Sequence, residues 1–274
     1  MIPRNGRPRP LAEAFRGRQR RCFPTALIVA ATVSAVAGPN PSGWQALASY
    51  DAGAAEVAFS QSSGPEGVLG RAMALLASPE YSPAKVEEAE SLLLALVQSG
   101  EPTREIPVAR YALARISHLF RDNHLKEAEG RYRELIQLHP GHPLAERAVS
   151  KVLLIQLGRA APGAFAVVLM EWTPRVDRFL DPGAVRDFHL TAAKAWLGCD
   201  CHPEAFSHFT AALNTGSVRG RARADLLLQV GESGLRSNRK AAAEEAYRRF
   251  KAEFPGDPRL ALATHRLKNL GKPQ

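Results

Sequence analysis

Two stretches of this chain carry the same three kinds of residue at the same spacing: a small side chain, an aromatic ring four positions on, and a proline eight after that. They are Ala128, Tyr132 and Pro140, and again Ala243, Tyr247 and Pro255. This recurrence constrains the fold strongly. Positions four apart share one face of a helix, and a small residue on that face lets a second helix backbone cross closely. The ring fills the space one turn later. Proline then ends the helix, because it has no amide hydrogen and its predecessor avoids helical geometry.

The fullest copy covers residues 109–140. Tyr111, Leu113, Ala114, Ile116 and Leu119 recur at helical spacing and leave Arg110, Arg115 and Arg121 outward. Asp122, Asn123 and His124 suit a turn, since short polar side chains compete for the backbone. A second helix then sets Ala128, Tyr132, Leu135 and Ile136 on one stripe. Ala205, Phe209 and Ala212 repeat the spacing without the proline. Ala89, Leu93 and Leu96 give an aliphatic version, and Ala164 with Val168 a fainter one. The anchors at 89, 128, 164, 205 and 243 are separated by 39, 36, 41 and 38 residues.

This pattern resembles the tetratricopeptide repeat family, whose usual period is about 34 residues. Ala89, Ala128, Ala205 and Ala243 match the small position. Tyr132, Phe209 and Tyr247 match the aromatic position, Pro140 and Pro255 the closing proline, and Val230-Gly231 stand where the family has Leu-Gly. The resemblance implies an all-α fold, a right-handed α-solenoid of helical hairpins. It further implies that first helices line a concave groove for a protein or peptide partner. The matching groove positions are Arg110, Ser117 and Arg121, then Asp187 and Lys194, then Asp225, Gln229, Glu232 and Arg236. Their signs are mixed, so the lysine and asparagine clamp that some members close on a terminal carboxylate is not carried over. The strings LIQLHPGHPLAERA and FPGDPRLALA resemble repeats of bacterial envelope-assembly and division proteins. What that implies is a non-enzymatic adaptor in the cell envelope.

Punctuation along the chain fits this organisation. Prolines 83, 107, 143, 182, 203 and 258 fall at first-turn positions, where the missing amide costs nothing. Glycines 100, 158, 198 and 271 follow helix ends. Residues 65–272 are predicted to hold about five helix pairs plus a capping helix at 258–270, with Leu260, Leu262, Ala263 and Leu267 inward. Thr173-Pro174 is expected to break the faint third repeat, and residues 38–64 read as a flexible linker of low complexity.

The net charge of +9 at first suggests nucleic acid, but its position argues otherwise. Residues 1–21 contain seven arginines and one glutamate, a net +6, and residues 22–37 contain no charge, so +3 is left for residues 38–274. No nucleic-acid partner is expected. Residues 1–37 read as a signal peptide: an arginine-rich start, an apolar run at 23–37, and small residues Ala35 and Ala37 suited to cleavage. The run is 15 residues long, where a spanning helix needs about 20. The expected location is periplasmic or extracellular. The alternatives are an inner-membrane anchor formed by uncleaved residues 23–37, the only membrane contact foreseen, and a basic cytoplasmic tail. Arg20-Arg21 leaves open whether export follows the general or the twin-arginine route.

Chemistry has few candidates. Cys199, Cys201 and His202, with His189 and His208 one or two turns away, form the sharpest grouping with metal-ligand character; His139 and His142, three apart, form a second in the connection between repeats. The spacing has one residue between the cysteines rather than the two or more of zinc pairs. The readings are a polar inter-helix turn, a local disulfide, or a metal or enzymatic site. No phosphate loop, nucleophile elbow or HExxH string is present, and no cofactor is expected.

Overall fold

The computed structural model describes residues 40–80, 82–121 and 124–270. The expected signal peptide, 1–37, lies outside them. Among the described residues the fold is all-α: thirteen α-helices, one 3-10 turn and no strand. They are α1 (Pro41–Ala48), α2 (Ala52–Ser60), α3 (Pro65–Ala77), α4 (Pro83–Gln98), α5 (Glu105–Leu119), α6 (Leu125–Leu138) and α7 (Pro143–Arg159). After the 3-10 turn Pro162–Ala164 come α8 (Phe165–Val176), α9 (Pro182–Gly198), α10 (His202–Asn214), α11 (Gly220–Arg236), α12 (Lys240–Glu253) and α13 (Leu260–Asn269). The described chain divides into two compact units, residues 40–152 and 153–270, with the boundary inside α7.

In the amino-terminal unit each helix packs on its neighbours in sequence, α1 on α2, α2 on α3, and so on to α6. Residues 41–60 are not the expected linker. They form α1 and α2, because Trp44, Leu47 and Phe59 supply enough apolar surface to bury two short helices against α3. The Phe59 ring lies so close to α3 that a Cβ at Gly70 would come within 2.2 Å of it. Trp44 meets Phe59 edge-on at 4.9 Å and donates its indole N–H to Glu66 Oε1 at 2.8 Å. Asn40 caps α1 by accepting the Gly43 amide at 3.0 Å.

Tyr132 organises the centre of this unit. Ala128 and Tyr132 are both at 0% exposure, and the ring packs against Tyr111 and, edge-on, His118. Arg115, expected outward, is buried, with its charge near the Tyr132 hydroxyl. His118 Nδ1 stands 3.3 Å from the same hydroxyl. Burial, and then the nearby Arg115 and Lys151 charges, push the His118 pKa down to about 3.

In the carboxy-terminal unit α9 packs on α10, α10 on α11, α11 on α12 and α12 on α13. Its core gathers Ala205, Phe209, Leu227, Ala243, Tyr247 and Phe250. Ala164 is not a packing anchor: it sits half-buried in the 3-10 turn, and α8 buries Phe165, Leu169, Trp172 and Val176 instead. Pro174 does not break that helix either. It lies in the last turn, so it forgoes one helical bond, to Met170 O, and little helix follows it. In α13 only Ala263 is buried and Leu262 is exposed, so its inward face is narrower than the sequence suggests.

Two outcomes follow. Phe59→Ala lowers stability by about 3–5 kcal/mol in denaturant unfolding, the usual cost of emptying a buried aromatic site, whereas a linker residue would show nothing. His118 has a folded pKa below its unfolded value of 6.5, so the unfolded chain takes up the extra proton. Its stabilisation is therefore complete above pH 6.5 and is lost as pH falls toward 3, by roughly 1 kcal/mol per pH unit. Stability measured between pH 7 and 4 falls less steeply in His118→Gln.

Candidate functional site

Helix α11 presents two faces. Ala224, Leu227, Leu228, Val230 and Gly231 turn into the core, while Asp225, Gln229, Glu232 and Arg236 follow one another at helical spacing on the other side. The core face fixes the helix closely. A Cβ at Gly231 would stand 2.7 Å from the Tyr247 ring, so only glycine lets α12 approach this far. With the ring pinned there, Tyr247 donates its hydroxyl to Glu232 Oε1 at 2.7 Å. Arg266 of α13 closes on the same carboxylate through Nε at 2.8 Å and Nη2 at 3.0 Å.

A similar clamp stands one end of the stripe further along. Arg259 reaches Asp257 through Nε at 2.8 Å and Nη2 at 2.7 Å, and also pairs with Asp225. The guanidinium beside Asp257 holds that carboxyl down at about 2. At the other end, the turn between α9 and α10 carries Asp200 in the left-handed region at φ 62, a conformation aspartate adopts more readily than most residues. That turn sets its carboxylate 3.0 Å from His202 Nε2 and 3.9 Å from Arg236 Nη1. His202 Nδ1 is buried with no hydrogen-bond partner among the described residues.

Together these groups enclose a hollow of about 500 Å3. Asp225, Gln229, Glu232 and Arg236 form one wall, Asp200 and His202 another, and Leu197, Leu228 and Phe209 line it with apolar surface. Its acids and bases largely neutralise each other, and the ion pairs hold them in fixed orientations. Such a surface suits a polar, mixed-charge partner better than a small apolar ligand.

The remaining sequence-predicted positions divide. Arg121 pairs with Glu90 and lines a second hollow of about 420 Å3 in the amino-terminal unit. Glu90, which sequence reasoning missed, is buried there and also takes Arg131 through Nη1 and Nη2, both at 3.1 Å. It follows Glu87 and Glu88 just before the run Leu92–Leu94, and that helical pattern gives no sign of two cationic partners more than 30 residues away. Arg110 is drawn into a pair with Glu134 at 2.7 Å, and Asp187 pairs with Arg186 at 2.6 Å. Lys194 is exposed. Ser117 does not face a groove: it is fully buried and its hydroxyl lies 3.4 Å from Leu113 O, as serine does when it bonds back to its own helix.

The four metal candidates do not converge. Cys201 Sγ points back to Cys199 O at 3.6 Å, and both thiols are free. Burial, then the neighbouring Cys201, raises the Cys199 pKa. His208 turns away to His189, with the two Nδ1 atoms 2.9 Å apart. Burial lowers both pKa values, His208 to about 4, so near neutral pH both rings are uncharged and one donates to the other. No group of three or more metal-ligating side chains is assembled among the described residues.

Fold and site define the class as an all-α protein of helices packed on sequence neighbours, with a polar hollow over one helix. No protein-family model matches the chain, and no curated protein matches it. Glu232→Ala is expected to lower stability by about 1–3 kcal/mol in denaturant unfolding, because it strands the Tyr247 hydroxyl beside a buried ring. Gln229→Ala, on the same stripe, changes it by less than about 0.5 kcal/mol.

Proposed function

We propose that this chain is a non-enzymatic adaptor of the bacterial cell envelope, a right-handed α-solenoid of tetratricopeptide-like hairpins that docks a protein or peptide along α11. The observation that carries the reading is the convergence of Asp225, Gln229, Glu232 and Arg236 on one hollow of about 500 Å3. Side chains held by Arg259, Arg266 and Tyr247 are pre-organised, so a partner that pairs with them loses little ordering entropy. Arg236 and Asp200 are the most exposed charges in the hollow and are the natural first contacts.

The hairpin reading is supported by the small-plus-aromatic recurrence and by the burial of Ala128, Ala205 and Ala243 to 0% exposure. Neighbour-on-neighbour packing within each unit is what stacked hairpins require. The envelope location rests on the arginine-rich start and apolar run of residues 1–37. Cleaved there, the chain is periplasmic or extracellular; uncleaved, residues 23–37 tether it to the inner membrane. Among the described residues no helix is long and apolar enough to cross a membrane.

A photo-crosslinking amino acid at Gln229, introduced in the native host, is expected to capture a defined set of envelope proteins. The same probe at Lys126, on the amino-terminal helix α6, should not capture that set, and adding Arg236→Glu to the Gln229 probe should reduce capture at least several-fold. Equal capture at both positions, or capture indifferent to Arg236→Glu, overturns docking along α11. Amino-terminal sequencing of the exported protein decides between the cleaved and tethered forms.

A further inference from the structure

We propose that the turn between α9 and α10 is a site of thiol–disulfide exchange, in which a disulfide-bearing oxidant joins Cys199 to Cys201. The new bond fastens Asp200 and His202 at the rim of the hollow. Three helix ends among the described residues carry a left-handed residue other than glycine: Tyr50 at φ 62, Asp200 at φ 62 and Asn238 at φ 58. Each is closed by the same pair of backbone bonds. Around Asp200 its own amide donates to Leu197 O at 3.1 Å and the Cys201 amide to Trp196 O at 3.0 Å. Around Asn238 its own amide donates to Leu235 O at 3.1 Å and the Arg239 amide to Gly234 O at 2.8 Å. In such a helix-ending turn one left-handed residue lets the last carbonyls be satisfied. Of the three, only the turn at Asp200 has cysteines on both sides of that residue.

The turn suits the bond as it stands. A residue of helical conformation, of either hand, sets the Cα atoms beside it about 5.4 Å apart, from the helix rise and radius. A disulfide spans Cα separations of about 4.4–6.8 Å. Cys201 Sγ already leans toward its partner residue, 3.6 Å from Cys199 O. Burial first, and then the Cys201 thiol, raises the Cys199 pKa, so the two sulfurs are electrostatic neighbours. Both cysteines are half-buried, which leaves them open to a small oxidant. One thiolate attacks the oxidant's S–S bond, releasing a first thiol and forming a mixed disulfide; the second thiolate then displaces the other thiol. The cysteine pair loses two electrons and two protons, and the oxidant takes up both as it becomes two thiols. In the dithiol, Asp200 is free to leave a left-handed backbone that any Cβ disfavours. The small covalent ring closes that route and keeps its carboxylate 3.0 Å from His202 Nε2, beside Arg236. The consequence for docking rests on the reading of the hollow given above; the bond itself does not.

The test uses the purified full chain carrying Cys22→Ser, which leaves only the two thiols of the turn. It is reduced, then equilibrated at mildly alkaline pH with mixtures of reduced and oxidised glutathione, and quenched with iodoacetamide. Intact-mass measurement is expected to show one step in which both thiols vanish together with the loss of two hydrogens. Cys199→Ser and Cys201→Ser are each expected to stop at a single glutathione adduct, which shows that the remaining thiol is reached. Amide hydrogen exchange followed by NMR then reads the turn. The Asp200 and Cys201 amides are expected to exchange at least about threefold more slowly in the oxidised chain. Those of Asn238 and Arg239, in the matching turn without cysteines, should not change. Two separate glutathione adducts on the chain, disulfides formed only between chains, or a bond that leaves the Asp200 and Cys201 amides no slower overturns the proposal. Failure of the Gln229 probe to capture a partner sinks docking along α11 and leaves these readouts untouched.

Discussion

The structure depends on helices crossing where a side chain is small or missing and an aromatic ring takes up the vacated space. Phe59 occupies the room left by Gly70, Tyr247 the room left by Gly231, and Tyr132 packs one turn on from the fully buried Ala128. Close-packed interiors tolerate neither voids nor overlap, so each of these contacts fixes the separation of two helices. The rings lie on α2, α6 and α12, each packed against a helix next to its own in sequence, so the same device recurs along the chain. Polar geometry then inherits that precision: Tyr247 reaches Glu232 only because its ring is held against α11.

The hollow over α11 shows how charge can be concentrated without being left unbalanced. Glu232 is clamped by Arg266, Asp225 by Arg259, and Asp200 stands between His202 and Arg236. Half-exposed pairs of this kind add little to stability. Their effect is geometric: long arginine side chains that would otherwise sweep through many rotamers are directed. Glu90 does the same for Arg121 and Arg131 in the other unit, at a buried position where the unpaired carboxylate would be costly.

Histidine illustrates how environment sets behaviour. His118 packs edge-on against Tyr132 with cations nearby, and its ring stays neutral well into acid. His189 and His208 share one hydrogen bond across a helix pair. His202 instead bonds Asp200 through one nitrogen while the other is buried without a partner among the described residues. One residue type therefore serves as core filler, cross-helix link and rim of a polar hollow.

The sequence by itself determined the helical class, several helix starts through prolines such as Pro83, Pro143 and Pro182, and the buried identities of Ala128, Tyr132, Ala243 and Tyr247. These are legible because helical periodicity and capping act over three or four residues. Local spacing also placed Asp225, Gln229, Glu232 and Arg236 on one stripe. Spacing misjudged Ser117 and Arg115, which lie at the margin of an apolar face, where a neighbouring helix decides burial. It likewise missed that Trp44 and Phe59 suffice to fold residues 41–60 onto α3. The partners of Glu90, Asp225 and Glu232, and the meeting of His189 with His208, were decided only by tertiary structure. Each joins residues 15 or more apart in sequence, and such contacts are set by how helices cross, not by the order of residues within any one of them.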